Sequence, residues 1–285
     1  MKLRDGELDI TAGLARGLVD RQFPGWAGLP LRPVPDGGTD NVMFRLGEDL
    51  VVRLPRMPHG GDTVRMEHRW LPYLAPRLPL AIPEPVGLGS PGVGYPLPWS
   101  VYRWRPGDHR AGDLGDTARA LGGFVAALQK VPVPAGAPAA YRGGSYRGAD
   151  DGVQAALRDL DVPGAAPVWR AALDLPGWER PPVWVHSDLL PTNVLFRAGR
   201  LDAVIDFGCA GVGDPACDLM AAWAILDPAS RPVFRAQLDV DDVTWERGRG
   251  WALVFGLGAW HYYLTRKPGF AALGRRTVEQ VLMTP

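Results

Sequence analysis

With 285 residues, of which 46% are hydrophobic and 22% charged, the chain has enough apolar sequence for a substantial core and enough length for two compact bodies. Lysine plus arginine (31) balances aspartate plus glutamate (31), so no overall positive field draws the molecule to nucleic acid or to an anionic membrane. Two cysteines, Cys209 and Cys217, are too few to staple a fold, the charges at Lys2, Arg4, Asp5, Glu7 and Asp9 leave no apolar leader, and the longest apolar stretch, Trp251 to Tyr263, is too short for a bilayer; the expectation is a cytoplasmic protein without a membrane span.

Along the chain, Ile10, Leu14 and Leu18 recur at four-residue spacing and predict an amphipathic helix that ends before Pro24. A strand is expected around Leu31 to Val34, followed by a hairpin of Val42 to Leu46 and Leu50 to Leu54 turning on Gly47-Glu48-Asp49. Glu67 to Leu74 has the helical pattern again. Prolines 76, 79, 83 and 85 then mark an extended path into a hairpin at Gly87 to Gly94, and Trp99 to Trp104 reads as a further strand. Beyond Pro106-Gly107 the pattern is helical: Leu114 to Lys130, Gly152 to Leu160, Val168 to Leu173, Cys217 to Leu226 and Trp245 to Leu264. The domain boundary is therefore placed near residue 105. The Pro, Gly and Ala-rich stretch Val131 to Gly148 has no period that could bury a face and is expected to be a loop or lid.

The chemistry is concentrated in Val183-Trp184-Val185-His186-Ser187-Asp188-Leu189-Leu190-Pro191-Thr192-Asn193-Val194-Leu195-Phe196, with Val204-Ile205-Asp206-Phe207-Gly208 shortly after. Short apolar strands flank polar residues that a strand core would not tolerate, so these belong on loops at the strand ends. A carboxylate for an acceptor hydroxyl and two oxygen donors for magnesium are the parts that phosphoryl transfer needs, and Asp188, Asn193 and Asp206 can supply them.

This constellation resembles the aminoglycoside phosphotransferase family, whose loop reads His-x-Asp with Asn five residues on and an Asp-x-Gly-type metal ligand on the next strand. The resemblance implies an α+β, two-lobed protein-kinase-like fold. Residues 1–105 would form a nucleotide-binding lobe with a small antiparallel sheet, and residues 106–285 a larger, mostly helical lobe for catalysis and substrate. It implies Asp188 as the catalytic carboxylate, Asn193 and Asp206 as magnesium ligands, and His186 and Asp218 as supports of the loop, the latter from the Gly213-Asp214-Pro215 segment onward. In the first lobe it implies Gly38 and Thr39 over the phosphates, Arg53 paired with Glu67 on the phosphate-pairing strand and helix, and Arg103 and Trp104 beside the base. Arg53 stands where many relatives carry lysine and presents a planar fork in place of an ammonium. Ser187 stands where glycine is commoner, a change expected to matter little.

The donor expected is ATP or GTP with Mg2+. Only five residues separate Gly208 from Asp214, too few for the segment on which protein kinases lay a peptide, so the acceptor is expected to be a small molecule. Seven acids against two arginines between Asp214 and Glu246 raise the idea of an electronegative wall, with Asp241 and Asp242 as contacts to a cationic antibiotic. A metabolic kinase for choline, a sugar or an amino alcohol, and a non-catalytic nucleotide-binding regulator, are the alternatives. Gly87-Leu88-Gly89-Ser90-Pro91-Gly92 matches a dinucleotide fingerprint in form, yet no helix follows, and it reads as a turn.

Overall fold

The alternating strand residues of the first part of the chain give its sheet two different faces. In the computed structural model, which describes residues 6–35, 38 and 40–283, β1 (Leu31–Pro33), β2 (Asn41–Leu46), β3 (Leu50–Pro55), β4 (Pro85–Gly89) and β5 (Trp99–Arg103) form an antiparallel sheet in the order β1-β2-β3-β5-β4. Phe44, Leu46, Val52, Leu54, Trp99 and Val101 share a buried cluster with Ala15, Leu18 and Val19 of α1 (Ala12–Gln22), a helix capped by the Thr11 hydroxyl. This is the period-2 consequence of having apolar residues two apart on each strand. The intervening residues Arg53, Ser100 and Tyr102 meet Glu67 and His68 of α2 (Gly60–Leu74). That helix starts seven residues earlier than its apolar pattern indicates, because Gly60-Gly61 reads as a breaker but is held in the first turn, Gly60 and Gly61 donating to the carbonyls of Met57 and Pro58.

Two compact units result, one of residues 1–76 and 82–106 and the other of residues 77–81 and 107–285. The second is mostly helical: α3 (Leu114–Gln129), α4 (Asp150–Leu160), α5 (Ala165–Asp174), α6 (Ala216–Leu219), α7 (Ala221–Ala224), α8 (Arg231–Arg235), α9 (Asp242–Tyr263) and α10 (Pro268–Leu282). Two antiparallel ribbons cross it. One pairs β6 (Val183–Val185) with β9 (Gly211–Gly213), and the other pairs β7 (Val194–Arg197) with β8 (Arg200–Val204). The sequence reading missed α10, whose opening Lys267-Pro268-Gly269 looks like a break; Pro268 is instead its first residue, where a missing N–H costs nothing. Among the described residues no helix is long and apolar enough to cross a membrane.

The segment expected to be a loop or lid is tied down. Ala139 bridges Val212 in parallel, Ala140 N–H donates to the Val212 carbonyl, Val212 N–H to Pro138, Tyr141 N–H to Cys209 and Asp214 N–H to Gly143. Backbone pairing needs no hydrophobic period, so composition alone does not reveal it. The pairing does need room. A β-carbon on Gly211 would stand 2.5 Å from the Ala140 nitrogen, and one on Gly213 would stand 2.4 Å from the Gly143 α-carbon, so the two chains touch only because both positions lack a side chain.

Candidate active site

The strand β6 is buried through Trp184 and Val185 and ends where the polar loop begins. The loop is fixed first by Asp218 of α6. This carboxylate is fully buried and accepts from the backbone N–H groups of His186 at 2.8 Å and of Ser187 at 2.7 Å. Burial pushes its carboxyl pKa up, against the pull of His186 and of the two amides. His186, also fully buried, donates from Nε2 to the Ile205 carbonyl at 3.0 Å and packs edge-on against Phe207, which leaves Nδ1 to accept the Asp188 N–H at 3.3 Å. The imidazole thus spans the loop and the strand that leads to Asp206.

Ser187 has φ 61°, a left-handed backbone that favours glycine. Its hydroxyl donates to the Cys209 carbonyl at 2.7 Å, and its N–H is held by Asp218. The serine thus makes a hydrogen bond that a glycine at this position could not.

Asp188 is held on both oxygens. Asn193 Nδ2 donates to Asp188 Oδ2 at 3.0 Å and to its carbonyl at 2.8 Å, and Arg142 Nη1 donates to Oδ1 at 2.5 Å. One fifth of the Asp188 side chain stays exposed. With its nitrogen spent on Asp188, Asn193 turns its amide oxygen elsewhere, where it meets the Thr192 hydroxyl at 3.4 Å. The Ile205 N–H donates to the Asn193 carbonyl at 2.8 Å, and Asp206 follows in a left-handed conformation, φ 63°. Backbone strain of this kind concentrates at functional loops. Among the described residues no three His, Cys, Asp or Glu side chains cluster to hold a metal. One amide oxygen and one carboxylate form a smaller donor set, of the kind that suits magnesium, which keeps several waters and takes further oxygens from phosphates. Asn193 and Asp206 fit that description.

In the first unit, Arg53 and Glu67 form a buried pair: Nη1 reaches both carboxylate oxygens at 2.8 Å, with Glu67 fully buried and Arg53 12% exposed. Two partners were not evident from the sequence. Tyr102 donates its hydroxyl to Glu67 Oε2 at 2.5 Å, and Asn41, with its amide oxygen facing Arg53, accepts from Nε and Nη2 at 3.0 Å. The fork of an arginine is thereby used on both edges, which a lysine could not reproduce. Gly38 has φ 93° with open space where a side chain would stand, and Thr39 lies outside the described residues. Arg103 and Trp104 are tied locally. The Arg103 N–H donates to Glu84 O and its Nε to Glu84 Oε1, the Trp104 N–H donates to Asp49 O, and Arg45 stacks on the Trp104 ring. Both backbone N–H groups are thus spent within the first unit.

Asp241 and Asp242 do not join the catalytic loop. Asp241 caps α9, accepting from Thr244 N–H at 2.7 Å, and meets Arg180 at 3.4 Å; the Thr244 contact lowers its pKa. Asp242 pairs with Arg235. Asp214 is likewise buried against Arg247, which holds both of its oxygens. The pairs made by Asp241 and Asp242 are surface ion pairs, with the Asp241 side chain 56% and the Asp242 side chain 93% exposed. A cavity of about 640 Å3 lies beside them, lined by Val183, Trp178, Arg180 and Thr244. It opens at the start of β6, whereas the catalytic loop leaves the other end of that strand.

Solved structures share this architecture. A complex of aminoglycoside 2′-phosphotransferase IIIa with GDP aligns with a TM-score of 0.75 at 20% identity over 96% of this chain and 99% of its own. The GDP and kanamycin complex of an APH(2″) enzyme aligns with a TM-score of 0.74 at 21% identity, covering 94% and 97%. A macrolide 2′-phosphotransferase from Brachybacterium faecium, solved as the apoenzyme, is 25% identical with a TM-score of 0.61, covering 96% and 98%. No curated protein matches the sequence. The phosphotransferase enzyme family (APH) matches residues 31–251, so this α+β chain with its kinase-like fold belongs to that family and is a phosphotransferase that acts on alcohol groups.

Proposed function

We propose that the chain transfers the terminal phosphate of ATP or GTP to a hydroxyl of an aminoglycoside, macrolide or related antibiotic. The observation that carries this reading is the double restraint of the Asp188 carboxylate, by Asn193 and by Arg142, on a loop whose course is set by Asp218. A carboxylate fixed this way can receive an acceptor hydroxyl in a defined direction, and in phosphoryl transfer positioning and electrostatics supply most of the catalysis. The acceptor oxygen forms a bond to the terminal phosphorus. The bond from that phosphorus to the bridging oxygen breaks, its electron pair leaves with the nucleoside diphosphate, and the hydroxyl proton passes toward Asp188. Asn193 and Asp206 would hold magnesium, which when bound neutralises triphosphate charge. Arg53, set by Glu67 and Asn41, is the phosphate-facing cation of the first unit.

The test is nucleotide consumption with magnesium against kanamycin, gentamicin, a macrolide panel, choline and simple sugars. Turnover on an antibiotic that disappears in Asp188→Ala supports the proposal. Turnover confined to choline or a sugar makes the chain a metabolic kinase instead.

A further inference from the structure

Arg142 reaches the catalytic loop from 46 residues upstream, out of a stretch that has no helical or strand period. Its Nη1 donates to the Ser187 carbonyl at 2.9 Å and to Asp188 Oδ1 at 2.5 Å, so a single nitrogen ties the backbone of the loop to the side chain that follows. Its own N–H meets the Ser187 hydroxyl at 3.4 Å, and its guanidinium lies over the Tyr141 ring at 5.1 Å. The pair is mostly shielded, with the Arg142 side chain 19% exposed and that of Asp188 20%.

This contact is built by the backbone around it. The four hydrogen bonds that join residues 138–143 to the β9 region leave the strap little freedom, and the bare α-carbons of Gly143 and Gly213 allow the approach. Burial alone would lower the Arg142 pKa, but attraction to Asp188, joined by Cys209 and Tyr141, raises it above its ordinary value, so the guanidinium stays charged. A carboxylate has about four lone-pair sites. Arg142 takes one on Oδ1 and Asn193 one on Oδ2, which fixes the plane of the group and leaves the remaining sites for a hydroxyl hydrogen.

We propose that Arg142 is a positioning residue for the reaction: delivered by the 138–143 strap, it locks the Asp188 carboxylate in the orientation that receives the acceptor hydroxyl. The inference rests on the reading of Asp188 as the acceptor-side carboxylate.

The test uses the full chain with Arg142→Ala, Arg142→Lys, Asp188→Ala and Asp188→Asn. Magnesium-dependent hydrolysis of nucleoside triphosphate, with water as acceptor, is measured alongside transfer to kanamycin or a macrolide. In Arg142→Ala, kcat falls about 10- to 100-fold while the nucleotide KM stays within about twofold. Millimolar guanidinium ion restores part of the rate. Arg142→Lys recovers less than arginine gives, since an ammonium is a point charge and not a planar fork. Independently of turnover, the two Nη nitrogens of Arg142 give separate NMR signals through slowed rotation, and these merge in Asp188→Asn. An unchanged kcat in Arg142→Ala beside an inactive Asp188→Ala overturns the inference and leaves the function reading standing, and so does a loss confined to KM or freely rotating Nη groups in the wild-type chain. A fully active Asp188→Ala removes the function reading and the inference together.

Discussion

Asp218 accepts the N–H groups of His186 and Ser187 with its two carboxylate oxygens, one on each, and is itself out of reach of solvent. The course of the catalytic loop therefore depends on a buried carboxyl group in the following helix. Asp218→Asn replaces one acceptor oxygen by an NH2 that faces an N–H, so one buried donor loses its partner at a cost of about 1–3 kcal/mol. Because the loop also carries Asp188, kcat should fall about 100-fold. Urea unfolding and steady-state kinetics on the same preparation check both halves; full activity with lowered stability would separate the anchor from the chemistry.

Glu67 stands between Arg53 and Tyr102 with no exposure of its own. Glu67→Ala strips a buried cation of its counter-charge and a buried phenol of its acceptor, which should cost about 3–5 kcal/mol. Glu67→Gln keeps the shape and should raise the nucleotide KM about tenfold, with a smaller change in kcat, if Arg53 is the phosphate-facing group. Nucleotide titration of the Gln variant reads this directly. An unchanged KM would mean that Arg53 serves the sheet and not the triphosphate.

These side chains differ in how far the sequence disclosed them. Asp188, Asn193 and Asp206 stood out because polar residues interrupt apolar strand runs at fixed spacings, and a strand core does not tolerate such residues without a loop. The pairing of Arg53 with Glu67 was an implication of the family resemblance, and the strand and helix that carry them bring the two together. Arg142 gave no signal, since it lies in a Pro, Gly and Ala-rich stretch held by backbone hydrogen bonds, and those are blind to side-chain pattern. Tyr102 looked like one more apolar strand residue; only the register that sets Val51 opposite it shows which face it shares with Arg53. Asp241 and Asp242 are a different case. Charge counts along a sequence do not tell a free acid from one that caps a helix or faces an arginine.

His68 offers a pH readout of the first unit. Its Nε2 lies 2.6 Å from the Ser100 hydroxyl, and burial lowers its pKa from the ordinary 6.5. In the unfolded chain the imidazole takes up a proton near pH 6.5, while in the folded chain it resists until lower pH. The unfolded state then binds more protons in that interval, so stability rises with pH there and is lost as pH falls below 6.5 toward the folded value. His68→Gln keeps a hydrogen-bonding group without the titration. Its Tm should change less than that of the wild-type chain between about pH 7.5 and about pH 5; parallel profiles would assign the acid sensitivity to other groups.

Arg247 binds both oxygens of Asp214 at 2.8 and 3.2 Å, and also the Thr244 hydroxyl and the Pro176 carbonyl, with both side chains of the ion pair nearly buried. It fastens the start of α6 to α9, and through α6 it supports Asp218. Arg247→Ala leaves a buried carboxylate unpaired and should cost about 3–5 kcal/mol in urea unfolding. The folded fraction should keep a nucleotide KM close to that of the parent, since no atom of this pair touches Arg53 or Glu67.

Gly213 tests whether the strap and the carboxylate are coupled. A methyl group at this position would stand 2.4 Å from the Gly143 α-carbon and 2.5 Å from its carbonyl oxygen. Both are backbone atoms, so no side chain can swing away and the strap itself must lift. The Asp214 N–H bond to Gly143 is the first to go, and Arg142, one residue earlier, is drawn off Asp188. Gly213→Ala should therefore lower kcat about as far as Arg142→Ala does, about 10- to 100-fold, although it alters no charged group. Combining the two substitutions should add little, because both remove the same restraint; a double variant whose losses multiply would show that the strap and the guanidinium act independently.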